Sequence, residues 1–224
     1  MKIWHISDTH GYHHLLTIPE DIDTIVFSGD CANYRDPFTN EVEVIGFLNW
    51  FESLKIKNKI MIAGNHDSSI EKGLIKKKDI EARGIIYLFN ESTEVDGVKF
   101  WGSPITPEFG GWSFMMKRSN TNKLWQTIPE DTDVVITHGP PKGVLDLSYT
   151  REHVLETCGD SALMKRINII EPKLMLFGHI HDNEDIVNQG TRQLANLRTV
   201  FSNGSVVKDR HFGRLSSNGN VLYV

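Results

Sequence analysis

Apolar, β-prone residues gather in five short runs, at positions 2–7, 24–28, 59–63, 133–137 and 173–177, and each run breaks off in a polar turn marked by Gly or Pro. Those turns read Asp8-Thr9-His10-Gly11, Gly29-Asp30, Gly64-Asn65-His66-Asp67, His138-Gly139-Pro140-Pro141 and Gly178-His179-Ile180-His181. Runs of this length predict strands, and polar turns that follow them lie at strand carboxyl ends. Between them, positions 42–54 set Val44, Phe47, Leu48 and Phe51 on one helical stripe, and positions 162–170 follow a similar pattern. Strands alternating with helices predict an α/β sandwich. Further β-prone runs lie at 85–88, 92–95, 98–101, 199–202 and 221–224, with Asp96-Gly97 and Asn218-Gly219 as hairpin signals. No repeat, low-complexity tract or Pro/Gly-rich linker divides the chain, so a single domain over residues 1–224 is expected.

The side chains in the turns have a common chemistry. Asp8 and His10 are two apart, which on extended backbone aims both to one side, where they can grip one ion. Asp30 follows a glycine after a buried run, a place from which one carboxylate can reach two ions. Asn65, His66 and Asp67 offer an amide oxygen, an imidazole and a second carboxylate, although a helix N-cap at Asn65 or Asp67 is a fair competing reading. His138 precedes a rigid Pro-Pro turn, and His179 with His181 repeats the spacing of Asp8 and His10. Taken singly, each turn is ordinary. Together they supply the nitrogen and oxygen donors that suit transition metals, all at strand ends.

In order and spacing, Asp8-x-His10, Gly29-Asp30, Gly64-Asn65-His66-Asp67, His138 and Gly178-His179-x-His181 resemble the motif set of the calcineurin-like metallophosphoesterases. Gly102-Ser103-Pro104, Gly111-Trp112, Thr137 to Pro141, Asp146 and Phe177 to His181 resemble one subfamily, the metallophosphoesterase-domain-containing proteins, over roughly residues 1–207. The resemblance implies a four-layer α-β-β-α sandwich of two mixed sheets, with a dimetal site at the strand carboxyl ends. It implies that Asp8, His10 and His181 hold one metal, that Asn65, His138 and His179 hold the other, and that Asp30 bridges them. Two ions ~3.5–4 Å apart would then activate a water as nucleophile and clamp the phosphoryl oxygens. Catalytic roles fall to His66 and Asp30, with Asn65 and His66 also meeting substrate; His66 would steady the transition state or protonate the leaving alkoxide. The implied cofactors are two divalent ions, drawn from Mn, Fe, Zn or Ni, with Mn favoured for assay. The sequence departs from the family pattern at Asn33 and Arg35, where members often carry an acidic residue and a glycine. Asn33 could accept a hydrogen bond from His66 but could not stabilise an imidazolium as a carboxylate would.

Bulk properties narrow the function. A content of 39% hydrophobic and 24% charged residues fits a folded globular chain rather than a disordered tail. A formal net charge of -5 argues against tight, sequence-independent nucleic-acid binding, yet leaves a small phosphate ester possible because bound dications supply local positive charge. Cys31 and Cys158 make no disulfide framework or metal knuckle and read as reduced structural thiols. With no apolar leader or membrane-length run, the expected location is cytoplasmic and the expected partner a small phosphate ester or nucleotide.

The expected activity is therefore metal-dependent hydrolysis of phosphate esters, with a phosphodiesterase, nucleotides or cyclic nucleotides being the candidate substrates, as the leading form. A phosphomonoesterase or nuclease of the same fold, or a metal-binding scaffold without turnover, are the alternatives. A protein Ser/Thr phosphatase fits less well, since Asp30-Cys31-Ala32-Asn33 lacks the Asp-Arg-Gly continuation of that group. His5, His13, His14, His153 and His211 lie outside the matching motifs, with His13 and His14 near enough to line the site. Lys76-Lys77-Lys78 reads as the wet face of a helix. Trp101, Phe109, Trp112 and Phe114 read either as packing of a long loop or as a stacking surface for a base.

Overall fold

Along the strand Thr24–Ser28, Val26 faces one way while Ile25 and Phe27 face the other, and the same alternation separates Ile60 and Ile62 from Met61 on Asn58–Ile62. It recurs on Val134–Thr137 and Leu174–Phe177, where Val134, Ile136, Leu174 and Leu176 join Val26, Ile60 and Ile62 in one buried layer. Two sheets therefore pack face to face on this layer. The opposite faces carry helices: Val44, Phe47, Leu48 and Phe51 of Pro37–Ser53 cover the first sheet, and Trp125 of Arg118–Trp125 with Leu163 and Ile167 of Ser161–Ile170 cover the second. Each fully buried aromatic here is worth about 3–5 kcal/mol against truncation to alanine. This computed structural model describes residues 1–150, 152–183, 185–208 and 214–224; His211 lies outside them.

The first sheet runs in the order Asn220–Tyr223, Lys2–Ile6, Thr24–Ser28, Asn58–Ile62, Ile86–Tyr87, parallel except for its first member. The second runs Gly190–Gln193, Val200–Asn203, Leu174–Phe177, Val134–Thr137, Val98–Ser103, Glu91–Val95, with a parallel centre and an antiparallel strand at each edge. The expected α/β arrangement with two mixed sheets is what the chain forms. Parallel strands need crossovers, which the helices provide, and their carboxyl ends all point to one rim. At that rim the sheets touch: Ser7 N–H donates to the Gly204 carbonyl at 2.8 Å and Val206 N–H to the Ser7 carbonyl at 3.1 Å. Between the sheets His5 spans Ser202 Oγ at 2.8 Å and Ser28 Oγ at 2.9 Å, a satisfied buried imidazole rather than a ligand.

Local expectations met mixed outcomes. Asp96 and Gly97 both take positive φ and close the hairpin of Glu91–Val95 with Val98–Ser103. Asn218-Gly219 closes none, because Asn220–Tyr223 crosses the molecule to pair with Lys2–Ile6. The first long helix begins at Pro37, before position 42, because the Asp36 carboxylate caps it through Thr39 N–H at 2.9 Å. Lys77 lies on the short helix Lys77–Glu81 and pairs with Glu81 and Glu91, which makes the lysine run a solvated face. Among the described residues, no helix is long and apolar enough to cross a membrane.

Candidate metal centre

Four of the site residues, Asp8, His10, Asp30 and His179, have φ between 42° and 69°, a left-handed backbone that non-glycine residues adopt at a cost. The sharp turns aim their side chains back across the rim instead of onward with the strand. Neighbouring turns must come very close for this. A Cβ on Gly178 would lie 2.1 Å from Asp8 Oδ2, and one on Gly64 would lie 2.2 Å from Asp30 Oδ1, so these positions have room for a hydrogen only.

Two clusters of ligand-type atoms result, one of Asp8, His10 and His181 and one of Asp30, His138 and His179. Asn65 Oδ1 joins the second, 2.9 Å from His138 Nε2. Asp8 is fully buried; its Oδ2 accepts from Ser205 Oγ at 2.8 Å and His179 N–H at 2.9 Å, and its Oδ1 meets His181 Nε2 at 3.1 Å. Burial works to raise the Asp8 and Asp30 pKa values, but the surrounding histidines outweigh it and hold both carboxylates ionised. Burial lowers His10 to about 4 and His179 to about 3, so both rings are neutral near pH 7.

The donor set fits a cation. His10 Nδ1 donates to the Ala32 carbonyl at 2.9 Å, which leaves Nε2 as a lone pair, and that atom is buried with no hydrogen-bond partner among the described residues. His138 Nδ1 lies 2.9 Å from the Ser28 carbonyl, while its Nε2 faces Asp30 Oδ2 at 3.2 Å as well as Asn65 Oδ1. A neutral ring with Nδ1 protonated would turn a lone pair on two oxygens. A proton or a metal ion at Nε2 resolves the conflict, and against the opposing effect of burial the Asp30 charge pushes His138 up to about 9.

His66 lies beside the clusters. Its ring centre is 4.8 Å from that of His10, its N–H donates to Asp30 Oδ1 at 2.7 Å, and its Nδ1 is 3.3 Å from the main-chain carbonyl of Asn33. The side chain of Asn33 is thus not the partner, which removes the premise that its amide tunes His66. Asp67 is at the N-cap of Ser68–Glu71, yet its carboxylate does not cap that helix. It accepts instead from the N–H groups of Gly64 at 2.8 Å, Asp30 and Cys31 at 3.0 Å and Ala32 at 3.1 Å, and so ties the Asp30 turn to the Asn65 turn. Burial and the nearby Asp30 charge push Asp67 up to about 6 against those donors.

One positioning residue escaped the sequence reading. Asn40 is fully buried on the apolar face of Pro37–Ser53, donates to the His66 carbonyl at 2.6 Å and accepts Ser69 N–H at 2.9 Å. A lone amide one turn ahead of Val44 was its signal.

A cavity of about 720 Å³ opens over the clusters, lined by Asp30, Asn65, His66, His179 and His181 and walled by Phe109 and Trp112. Phe109 lies 5.1 Å from the His179 ring and Trp112 4.3 Å from His66, with the Arg35 guanidinium 3.4 Å over Trp112. Trp101 and Phe114 are buried elsewhere, Trp101 against Trp125. His13 packs on Phe47 and Trp50, and neither it nor His14 lines the cavity.

Residues 1–183 match the family profile described as calcineurin-like phosphoesterase. The chain is similar to metallophosphoesterase domain-containing protein 1 of Homo sapiens, 30% identical over 225 residues that cover 90% of this chain and 64% of that protein. It is also similar to the UPF0046 proteins K07C11.7 and C25E10.12 of Caenorhabditis elegans, at 30% and 31% identity over 88% and 85% of this chain and 69% and 72% of theirs. The chain thus spans a little under two thirds of the human relative's length. With this match over most of its length and the family's sheet arrangement and ligand clusters in place, the chain belongs to the calcineurin-like phosphoesterase family.

Proposed function

We propose that this protein is a phosphodiesterase whose two ligand clusters hold two divalent ions. The observation that carries the reading is the pair of adjoining clusters, Asp8, His10, His181 and Asp30, His138, His179, of which Asp30, His179 and His181 line one cavity. Membership of the family supports a metal-dependent phosphoester hydrolase; the diester preference is the further step. It is supported by the cavity's extent beyond the clusters past Phe109 and Leu147, which leaves room for a second ester arm.

When bound, the ions (Mn²⁺, Fe²⁺, Zn²⁺ or Ni²⁺) supply Lewis acidity to phosphoryl oxygens and lower the pKa of an attacking water. Asp8, His10 and His181 would hold one, Asn65, His138 and His179 the other, and Asp30 would serve both. His66, with Nδ1 toward the Asn33 carbonyl, would meet the leaving oxygen through Nε2 and, as the doubly protonated imidazolium, transfer the Nε2 proton to it while Nδ1–H stays on the carbonyl. Phe109 and Trp112 suit a flat, aromatic ester arm such as a nucleoside.

The test compares bis(p-nitrophenyl) phosphate with p-nitrophenyl phosphate after metal removal and Mn²⁺ restoration. The expected outcome is metal-dependent cleavage favouring the diester, reduced at least about 100-fold in Asp30→Ala and His138→Ala. A monoester preference would make the protein a phosphatase, and bound metal without turnover of either ester would make it a scaffold.

A further inference from the structure

The far wall of the same cavity carries two cations that the metal chemistry does not use, Arg118 and Lys142. Among the described residues neither pairs with a carboxylate, in a chain whose net charge is -5. Arg118 is held in place: its Nη2 donates to the Cys158 carbonyl at 2.9 Å and its Nη1 to the Gly159 carbonyl at 3.2 Å. Both anchors belong to a segment locked onto the turn that carries Lys142. Lys142 N–H donates to the Asp160 carbonyl at 3.1 Å, Asp160 N–H to the Pro140 carbonyl at 2.9 Å, and Asp146 Oδ2 accepts Gly143 N–H and Gly159 N–H, both at 2.9 Å. The approach is so close that a Cβ on Gly159 would lie 2.6 Å from the Pro141 carbonyl. The turn in question is the one that begins at His138, so the two cations and the ligand cluster share one stiff frame. Ser161 adds a hydroxyl to this wall, and Glu156 is the carboxylate that opposes the cations there.

We propose that Arg118 and Lys142 form a second anion subsite, so that the substrate is a phosphoester carrying another phosphate or carboxylate on one ester arm. A guanidinium fixed by backbone carbonyls and a lysine on a braced turn recognise a phosphate by charge-assisted hydrogen bonds. The subsite rests on the phosphoester reading for the reacting end of the ligand, yet its own ligand chemistry can be measured without turnover.

The experiment titrates the Mn²⁺-loaded protein calorimetrically with α,ω-alkanediol bisphosphates of increasing tether length and with the matching alkyl monophosphates. At one tether length the bisphosphate should bind about tenfold more tightly than its monophosphate. That ratio should fall toward one in Lys142→Gln and in Arg118→Gln, and persist in Lys123→Gln, which removes the same charge outside the cavity wall. Among the described residues the Lys142 side chain makes no hydrogen bond or ion pair, so its replacement breaks no contact that holds the fold. Equal binding of both ligand types at every length, no binding of any bisphosphate, or a preference that survives the Arg118 and Lys142 double variant would each overturn the subsite. Parallel assay on bis(p-nitrophenyl) phosphate separates the two ideas: hydrolysis without the preference removes the subsite alone, and the preference without hydrolysis removes the esterase reading alone.

Discussion

Trp112 touches a cation and an imidazole at once, with Arg35 3.4 Å over its ring and the His66 ring 4.3 Å from it. The contact gives a role to Arg35, where the resemblance leads to an expectation of glycine: a guanidinium on the indole adds a cation–π attraction worth about 0.5–2 kcal/mol and steadies the ring that flanks His66. Trp112→Ala is expected to lower kcat about tenfold, most for phosphoesters with poor leaving groups, with KM less affected and Trp112→Phe recovering most of the loss. Steady-state kinetics on matched p-nitrophenyl and alkyl esters checks it. His5 carries a prediction about stability. Burial lowers its pKa from 6.5 to about 3 in the fold. Above pH 6.5 the ring is neutral in folded and unfolded chains alike and contributes no pH dependence. Below it the unfolded chain takes up a proton the fold refuses, so stability drops by up to about 1.4 kcal/mol per pH unit until pH nears 3. Urea midpoints of His5→Gln should therefore fall less steeply than those of the parent between pH 6 and pH 4; parallel slopes would contradict this.

At the level of elements, the glycines that precede candidate ligand residues matter by allowing one turn to lie against another. Gly178→Ala would push a methyl into Asp8 Oδ2 and Ser7 Oγ, both 2.1 Å from the new atom, and backbone must move. The expected result is a loss of about 1–3 kcal/mol in stability together with weaker metal binding, read by thermal melts and by metal content after dialysis. Much at this scale was legible beforehand. The five strand-and-turn units stood out because a buried parallel strand is an apolar run and its carboxyl end a polar stop. The candidate ligand residues stood out because Asp, Asn or His recurs in all five of those stops. What stayed hidden depends on partners distant in sequence. Nothing local to Asn218-Gly219 says that Asn220–Tyr223 will pair with Lys2–Ile6. Asp67 looked like a helix cap because capping is a short-range pattern, whereas three of its four main-chain donors, Asp30, Cys31 and Ala32, lie more than thirty residues away. The helix Arg118–Trp125 buries only Thr121 and Trp125, too thin a stripe for periodicity to find.

For the molecule as a whole, each cluster joins early and late parts of the chain, Asp8 and His10 with His181, and Asp30 with His138 and His179. Ions bound across that divide favour the fold over the unfolded chain, by about 2.7 kcal/mol when free metal is 100 times Kd. Chelation should therefore lower the melting temperature, and the difference should shrink as pH falls from 8 to 5, because ligands must give up protons to hold metal. A shift independent of pH would count against histidine ligation. The pairing of Lys2–Ile6 with Asn220–Tyr223 bears on biosynthesis as well. Synthesis delivers Lys2–Ile6 more than two hundred residues before Asn220–Tyr223, its neighbour on one side. Throughout that interval the nascent protein carries an open strand edge, and for most of it lacks His179 and His181, so it is exposed to wrong pairing and to chaperone capture before the site can assemble.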